Sequence, residues 1–326
     1  MRAIVITEPG GPEVLQPASV PDPIPGPHEV LVEVRAAGIN HSDLSQRAGS
    51  YPAPPHESQD ILGLEIAGTV LTPGSDVQGW SAGDRVFALI GSGGYAERVK
   101  VHEDMLIPIP DNFSFEEAAA VPEVYYTAYD ALFNQAGLIA SQSVLIHAVG
   151  SGVGTAALQL AHDLGATTYG TAGSNEKLAR ARELGLDVGT NYNSEDFAEV
   201  IKARTEGRGV NVILDLVGAS YWERNLQSLA VLGHMVLIGT VGGNEIATRT
   251  SALMGKRLRI FGTVLRPRPL EEKILLTKQF KAQILPRLAD GRLKPIVDKV
   301  YPLNQASEAH AYLNTHANFG KVILTV

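Results

Sequence analysis

The sequence contains no cysteine among its 326 residues. Disulfide bonds, thiol catalysis and cysteine-ligated zinc are therefore all excluded. No run of about 18 apolar residues occurs, so the sequence predicts no membrane span. Basic residues are few, with 27 Lys and Arg against 35 Asp and Glu, and the net charge of -8 argues against nucleic acid as a partner. The amino terminus has no long apolar secretory segment, and we expect a cytoplasmic protein.

The composition that remains is that of a globular protein with two regions. Hydrophobic residues make up 44% and charged residues 19%, and the length is typical of about two domains. Before Pro110, short β-branched runs such as 30–34 and 66–70 alternate with turns that contain glycine and proline. This pattern predicts an antiparallel β domain.

After residue 144, predicted strands and helices alternate. Strands are predicted at 144–148, 167–171, 210–216, 234–238 and 258–264, and helices at 154–164, 176–184 and 221–229. This alternation is typical of a doubly wound parallel sheet. The tail, with predicted helices at 271–288 and 305–313 and a last strand from Lys321, is expected to return to the first domain because the parallel sheet is already complete.

A glycine-rich loop follows the first strand of the parallel region and leads directly into a helix. Such a loop allows a tight turn and a close approach of the backbone to a pyrophosphate, which the helix N-terminus then binds. In the Gly-x-Gly-x-x-Gly fingerprint, Val149 and Ser151 stand where the first two glycines would be. The position between a strand and a helix favours a dinucleotide site over a simple turn. The predicted contacts are Gly150, Ser151, Gly152, Val153 and Gly154.

The end of the second predicted strand bears on the choice between NAD and NADP. An NAD site usually has an acidic residue about 20 residues after the loop, to bind the ribose 2′-hydroxyl. Here the strand leads instead into Gly173 and Ser174, and Lys177 lies on the first turn of the next helix. A lysine there can bind a 2′-phosphate, and the sequence therefore predicts NADPH. The alternative is that Lys177 is an ordinary solvated lysine.

Several motifs resemble a known family. Gly-Ile-Asn-His-Ser-Asp-Leu at 38–44, Gly-Leu-Glu-Ile-Ala-Gly-Thr-Val at 63–70 and Gly-Asp-Arg-Val at 83–86 resemble the medium-chain dehydrogenase/reductase superfamily. Within it, the chain is most similar to the NADPH:quinone oxidoreductase, or zeta-crystallin-like, branch and to its p53-inducible quinone reductases. The segments 10–13, 43–51, 146–148, 151–157, 171–174 and 283–286 carry this likeness.

The resemblance implies an α/β protein with two domains. A GroES-like β-rich catalytic domain is expected at 1–121, completed by 266–326, and a Rossmann domain with a doubly wound parallel sheet at 122–265. It implies a homodimer that reduces a small quinone, or a conjugated enone, with NADPH.

The zinc alcohol dehydrogenases of this superfamily hold their metal with a cysteine and a histidine at two positions that are Asn40 and Leu64 here. Leucine has no lone pair, and asparagine is a poor zinc ligand. The nine histidines show no metal-binding spacing. A metal-free site is therefore predicted, with surface or packing roles for His41, His56, His102 and His147.

The resemblance also suggests roles for single residues. Asn40 and Tyr51 are the candidate catalytic residues, since both carry hydrogen-bonding groups and the Tyr51 ring could stack on a flat substrate. The alternative for Tyr51 is that it only anchors its loop. Tyr192 is expected to complete the 2′-phosphate pocket. The nicotinamide end of the cofactor is expected to contact Asn40, Thr127, Gly239, Val264 and Asn318.

Two other functions remain open at this point. One is reduction of 2-enals or enoyl thioesters on the same fold, which would require a channel for the thioester carrier. The other is a crystallin-like or RNA-binding role, which the acidic composition disfavours.

Overall fold

The computed structural model describes residues 1–326, which form two compact units. Unit 1 comprises Met1–Tyr126 and Leu265–Val326, and unit 2 comprises Thr127–Val264. Unit 1 is built on mostly antiparallel strands and unit 2 on a parallel sheet, which confirms the predicted α/β class. No helix has the length and apolar character needed to cross a membrane.

The amino-terminal part of unit 1 contains seven strands and the first three helices. The strands are β1 (Arg2–Ile6), β2 (Leu15–Ser19), β3 (Glu29–Ile39), β4 (Glu65–Pro73), β5 (Arg85–Leu89), β6 (Arg98–His102) and β7 (Leu106–Pro108). The helices are α1 (His41–Arg47), α2 (Phe115–Ala119) and α3 (Pro122–Tyr129), and α3 continues past Tyr126 into unit 2. Ser114 caps α2 as the sequence predicts: its hydroxyl accepts from the Glu117 amide, and the Glu117 carboxylate accepts from the Ser114 amide.

Unit 2 consists of strands and helices in alternation. The strands are β8 (Ser143–Ile146), β9 (Thr167–Ala172), β10 (Val188–Asn191), β11 (Val210–Asp215), β12 (Leu229–Leu237) and β13 (Arg259–Gly262). The helices are α4 (Gly152–Leu164), α5 (Asn175–Glu183), α6 (Phe197–Arg204), α7 (Trp222–Ser228) and α8 (Thr250–Lys256), and a π-helical turn at Asp130–Gln135 precedes β8.

The six strands of unit 2 are all parallel, in the order β10-β9-β8-β11-β12-β13. The order reverses between β8 and β11, and ligands of such sheets bind at the carboxyl ends of the strands near this reversal. Buried apolar residues such as Leu145, Ile213 and Met235 form the core between this sheet and the helices.

The carboxy-terminal part of unit 1 contains α9 (Leu270–Gln283), α10 (Leu285–Ala289), β14 (Val297–Pro302), α11 (Ala306–Asn314) and β15 (Lys321–Thr325). β15 pairs antiparallel with β3, and the sheet order is β14-β15-β3-β4-β5-β7 with β6 also paired to β3. The single helix predicted at 271–288 is wrong, because the helix is divided at Ile284. Pro286 has no amide hydrogen to continue the helical hydrogen bonds.

Candidate active site

The glycine-rich loop of unit 2 joins the end of β8 to the start of α4. The Ser151 hydroxyl caps α4 by accepting from the Gly154 amide at 3.0 Å. A Cβ at residue 154 would overlap the carbonyl oxygen of Ala148, so only glycine fits there. The loop thus packs backbone closely against backbone. It leaves the first amide groups of α4 at the carboxyl edge of the sheet, which is an arrangement suited to binding a phosphate.

A second turn at this edge joins β9 to α5. The Ser174 hydroxyl caps α5 by accepting from the Lys177 amide at 3.2 Å. A Cβ at Gly173 would lie 2.5 Å from the Tyr192 hydroxyl, and Asn193 donates to the Gly173 carbonyl at 2.8 Å. The structure therefore brings together Gly173, Ser174, Lys177 and Tyr192, four of the residues predicted to bind the cofactor.

The remaining cofactor-binding candidates of unit 2 belong to other segments of the chain. Gly239 follows β12, and a Cβ there would approach the Leu216 carbonyl oxygen to 2.8 Å. Thr127 lies within α3, and Val264, which is about half exposed, follows β13. These two residues are the first and last of unit 2.

His147 follows β8, directly before the glycine-rich loop, and is fully buried. Its Nε2 donates to Asn225 Oδ1 at 2.7 Å, which leaves Nδ1 to accept from the Thr171 hydroxyl at 3.0 Å. Asn225 donates in turn to Asp215 at 3.0 Å. Burial lowers the pKa of His147 to about 4, so the imidazole is neutral at pH 7. This network connects the carboxyl ends of β8, β9 and β11.

In unit 1, the side chain of Asn40 lies in a buried polar group. Its amide nitrogen donates to Glu65 Oε1 at 2.9 Å, and its oxygen accepts from the Lys321 ammonium at 2.6 Å. Lys321 also donates to the Ile39 carbonyl and pairs with Glu65, each at 2.6 Å. The ammonium has three donors, and these three oxygens use all of them.

Glu123 is at the start of α3, next to this group. Its backbone amide donates to Glu65 Oε2 at 2.8 Å. The residue as a whole is half-buried, and its carboxylate makes no hydrogen bond or ion pair. Burial, reinforced by the negative charge of Glu65, raises the pKa of Glu123 to about 8.

A chain of hydrogen bonds connects α1 to α11. Arg47 donates to His310 Nδ1 at 3.1 Å, so His310 Nε2 carries the hydrogen and donates to the Tyr95 hydroxyl at 3.0 Å. Tyr95 donates to Asp43 at 3.1 Å. Burial lowers the pKa of His310 to about 3 and raises the pKa of Asp43 to about 6. The chain fixes α1, which follows Asn40 directly.

Tyr51 lies in the loop after α1 and is held by Arg266. The guanidinium of Arg266 lies 5.3 Å from the centre of the Tyr51 ring and donates to the Tyr51 carbonyl at 3.3 Å. It also donates to the carbonyl of Gly91 at 2.7 Å and to the side chain of Gln46 at 2.5 Å. Burial, together with the charge of Glu123, raises the pKa of the Tyr51 phenol, and Arg266 opposes this shift.

Asn318, the last of the predicted cofactor contacts, precedes β15. It is buried, and its side-chain amide donates to the Gly320 carbonyl at 2.8 Å.

Sequence reasoning missed four charged residues of unit 1: Glu65, Glu123, Arg266 and Lys321. The sequence contained one indication that two of them are buried and paired. Glu65 and Lys321 each stand next to apolar strand residues, where an unpaired charge would be costly. The pairing of these residues could not be predicted, since more than 250 positions separate them.

The side chains at the positions of the zinc ligands, Asn40 and Leu64, are poorly suited to bind a metal ion. Leu64 is buried and apolar, Asn40 is bonded to Glu65 and Lys321, and no group of three or more His, Cys, Asp or Glu side chains is arranged to hold a metal ion. These residues do not fit a zinc ion.

Two known protein families match large parts of this chain. Residues 26–111 match the alcohol dehydrogenase GroES-like domain, and residues 152–278 match the family described as zinc-binding dehydrogenase. The second description names a metal for which this chain lacks the ligands.

Individual relatives match over nearly the whole length. The quinone oxidoreductase of Rattus norvegicus is 34% identical over 330 residues, which cover 99% of this chain and 97% of that protein. Among solved structures, Escherichia coli quinone oxidoreductase complexed with NADPH has a TM-score of 0.90 and 33% identity, with full coverage of both chains. The JamJ enoyl reductase has a TM-score of 0.88 and 27% identity, and the match covers 100% of this chain and 99% of that one.

The predicted GroES-like and Rossmann domain types are thus confirmed, while the narrower likeness to the p53-inducible reductases stays a prediction. The chain belongs to the medium-chain dehydrogenase/reductase superfamily and, within it, to the quinone oxidoreductases.

Proposed function

We propose that this protein reduces quinones, and conjugated enones of similar shape, with NADPH and without a metal ion. The single observation that carries the proposal is the bonding of Lys321 to Asn40 and Glu65. Asn40 stands where the zinc enzymes of the superfamily have a metal ligand, and these hydrogen bonds occupy its side chain. Without a Lewis acid to form an alkoxide, alcohol oxidation is a poor fit. A substrate that is already electron-poor needs only orientation and hydrogen-bond donors.

The residues of unit 2 fit the proposed cofactor. The backbone at Gly150–Gly154 and the N-terminus of α4 would bind the pyrophosphate. Ser174, Lys177 and Tyr192 would bind the 2′-phosphate, in a turn that lacks an acidic side chain at the strand end. When bound, NADPH supplies the hydride. Solved relatives in complex with NADPH support this choice.

Unit 1 would supply the groups for the acceptor. Tyr51 presents a ring for stacking and a phenol for hydrogen bonding, and Arg266 holds that ring in place. The Tyr51 hydroxyl is protonated at pH 7 even with the ordinary pKa of a phenol, which burial raises further, and it can donate to a carbonyl oxygen. Asn40 acts mainly through Lys321 and Glu65, which fix the start of α1.

Steady-state kinetics test the proposal. The purified protein is given an ortho-quinone with NADPH or NADH, and oxidation of the reduced nucleotide is followed by absorbance. We expect turnover with NADPH and a much higher Michaelis constant for NADH. Absence of turnover with any quinone or enone would refute the proposal.

A second candidate, enoyl-thioester reduction, is favoured by the likeness to the JamJ and CurK enoyl reductases. It is tested by replacing the quinone with crotonyl-coenzyme A in the same assay. A higher kcat/KM for the thioester would make it the main activity.

We also propose a homodimer that forms along β13. This strand is at the edge of the sheet, and the segment before it exposes Val241, Ile246 and Met254, the last at 75%. Light scattering of the purified protein should give twice the chain mass, and Met254→Glu should shift the dissociation to higher concentration. A monomer at all concentrations would contradict this proposal.

A further inference from the structure

A cavity of about 710 Å³ lies within unit 1, and none of the residues assigned to the cofactor or to the acceptor lines it. It is bounded by residues of the loop 78–85, of the segment 103–111 and of α9. Leu106 and Thr277 line it although both are almost fully buried, so the cavity extends below the surface. Binding sites for small molecules have volumes of about 300–1,000 Å³, and this cavity falls within that range.

Trp80 supplies an aromatic wall of the cavity. Its indole N–H donates to the Glu103 carbonyl at 3.0 Å, which fixes the orientation of the ring. The residue is half-buried, and the ammonium of Lys281 lies 5.4 Å from the ring centre. An aromatic ring held in this way offers a face on which a flat ligand can stack.

Two of the cations that line the cavity have no carboxylate partner. The ammonium of Lys281 contacts the Trp80 ring and makes no hydrogen bond or ion pair. The guanidinium of Arg85 donates to the Phe113 carbonyl at 2.6 Å and lies over the Phe115 ring. Neither positive charge is therefore neutralised by a direct ion pair.

The carboxylates that line the cavity are mostly satisfied by donors of the protein. Glu103 accepts from a backbone amide at 2.8 Å and from a histidine ring at 2.9 Å. Asp104 pairs with the ammonium of Lys278 at 3.8 Å, and Asp84 accepts from a backbone amide at 2.8 Å. Asp111 is the one lining carboxylate that makes no hydrogen bond or ion pair. Two unpaired cations and one unpaired carboxylate favour a ligand with a negative charge.

We propose that this cavity is a second binding site, which takes a flat aromatic ligand with one anionic group, such as an aryl carboxylate or an aryl sulfonate. The ring stacks on Trp80, and the anionic group pairs with the exposed ammonium of Lys281. The inference goes beyond the proposed function, because it does not depend on which acceptor the protein reduces.

The position of the cavity implies that such a ligand stabilises the fold of unit 1. The loop 78–85 and α9 are far apart in the sequence and meet only in the folded chain. Thr277 of α9 accepts from the Tyr126 hydroxyl of α3 at 3.1 Å, and Phe280 stacks on the Tyr126 ring with the ring centres 4.5 Å apart. A ligand that bridges the loop and α9 binds the folded protein and not the unfolded chain, and it should therefore raise Tm.

Calorimetric titration tests the charge of the ligand. The probes share one ring system and differ in charge: naphthalenesulfonate is an anion, naphthylmethanol is neutral and naphthylmethylamine is a cation. Each is titrated into the purified protein with and without saturating NADPH. We expect the sulfonate to bind once per chain, with the lowest Kd of the three and with the same Kd when NADPH is present. The inference would be overturned by no binding of the sulfonate up to about 1 mM, by tighter binding of the amine, or by loss of binding with NADPH.

Variants of the two contact residues locate the bound probe. Trp80→Leu should raise the Kd for the sulfonate about tenfold, whereas Trp80→Phe, which keeps a ring, should stay close to wild type. Lys281→Gln should raise the Kd for the sulfonate about threefold and leave that for the alcohol unchanged. Lys299→Gln is the matched control, because its ammonium lies 3.7 Å from the centre of the Tyr312 ring, outside the cavity.

The wild-type Kd in both Trp80→Leu and Lys281→Gln would overturn the inference. Should Trp80→Leu fail to fold, the exposed Lys281→Gln decides alone. None of these measurements involves turnover, so the two proposals fail separately. A protein that binds the sulfonate but reduces no quinone would refute only the proposed function, and one that reduces quinones but binds no sulfonate would refute only the second site.

Discussion

The glycine-rich loop of unit 2 and the buried polar group of unit 1 are built in opposite ways. The loop uses backbone amides from adjacent residues, and its shape depends on where a Cβ is absent, as at Gly154. The polar group uses the side chains of Glu65 on β4, Asn40 at the start of α1 and Lys321 on β15, and Lys321 reaches Asn40 across 281 positions of the chain. A local motif can be found from sequence spacing, whereas the second kind of site exists only after the chain has folded.

The difference also concerns energy. The loop tolerates few side chains, but no charge is buried in it. The polar group holds a lysine and a glutamate that are almost fully buried, and each is costly without the other. Substitutions in unit 1 should therefore lower stability most, and substitutions in unit 2 should change cofactor binding.

The largest effect is expected from Lys321→Met. Removing the ammonium leaves Glu65 buried without a cation, and breaking a buried pair in this way costs about 3–5 kcal/mol. Urea unfolding should measure this loss. The double variant Lys321→Met, Glu65→Gln is the control, and it should recover part of the stability because no charge remains unpaired. A single variant as stable as wild type would contradict the account.

A smaller loss is expected from Gly154→Ala in the glycine-rich loop. The added Cβ would meet backbone atoms that cannot move aside, at a cost of about 3 kcal/mol shared between stability and NADPH binding. The Kd for NADPH is measured by fluorescence titration. Gly255→Ala is the matched control, because its Cβ would meet nothing within 4 Å. Equal affinities of the two variants would show that the loop is not the binding site.

The buried histidine of unit 2 should make stability depend on pH. In the unfolded chain the imidazole has its ordinary pKa of 6.5 and binds a proton below that pH, whereas the pKa of His147 in the folded protein is about 4. The contribution of His147 to the free energy of unfolding is therefore complete above pH 6.5. It is lost as the pH falls toward 4, and about 2 kcal/mol has been lost at pH 5. Unfolding of wild type and His147→Gln at pH 7.5 and pH 5 measures it. The variant should lose less stability on acidification, and identical losses would refute the assignment.

The smallest effect is expected from Lys177→Ala. Loss of one charge-assisted contact to a 2′-phosphate should raise the Michaelis constant for NADPH about tenfold and leave that for NADH unchanged. Lys202→Ala, on the exposed face of α6, serves as the control. Equal effects on both nucleotides would remove Lys177 from the 2′-phosphate site.

The comparison explains how much could be predicted from the sequence. The parallel sheet and the cap at Ser114 follow from short-range patterns, and the structure has both. The break at Ile284 was missed because the helical pattern outweighed Pro286. Arg266 was missed because the contact that holds Tyr51 depends on a segment 215 positions later in the chain. The pairing of Lys321 with Glu65 was missed for the same reason.

The central claim is reduction by NADPH with no metal ion, and one measurement tests it most directly. The protein is dialysed against a chelator, its zinc content is determined by mass spectrometry, and NADPH-dependent reduction of an ortho-quinone is measured before and after zinc is added back. We predict full activity with almost no zinc bound and no gain on addition. Activity that rises in proportion to bound zinc would contradict the account.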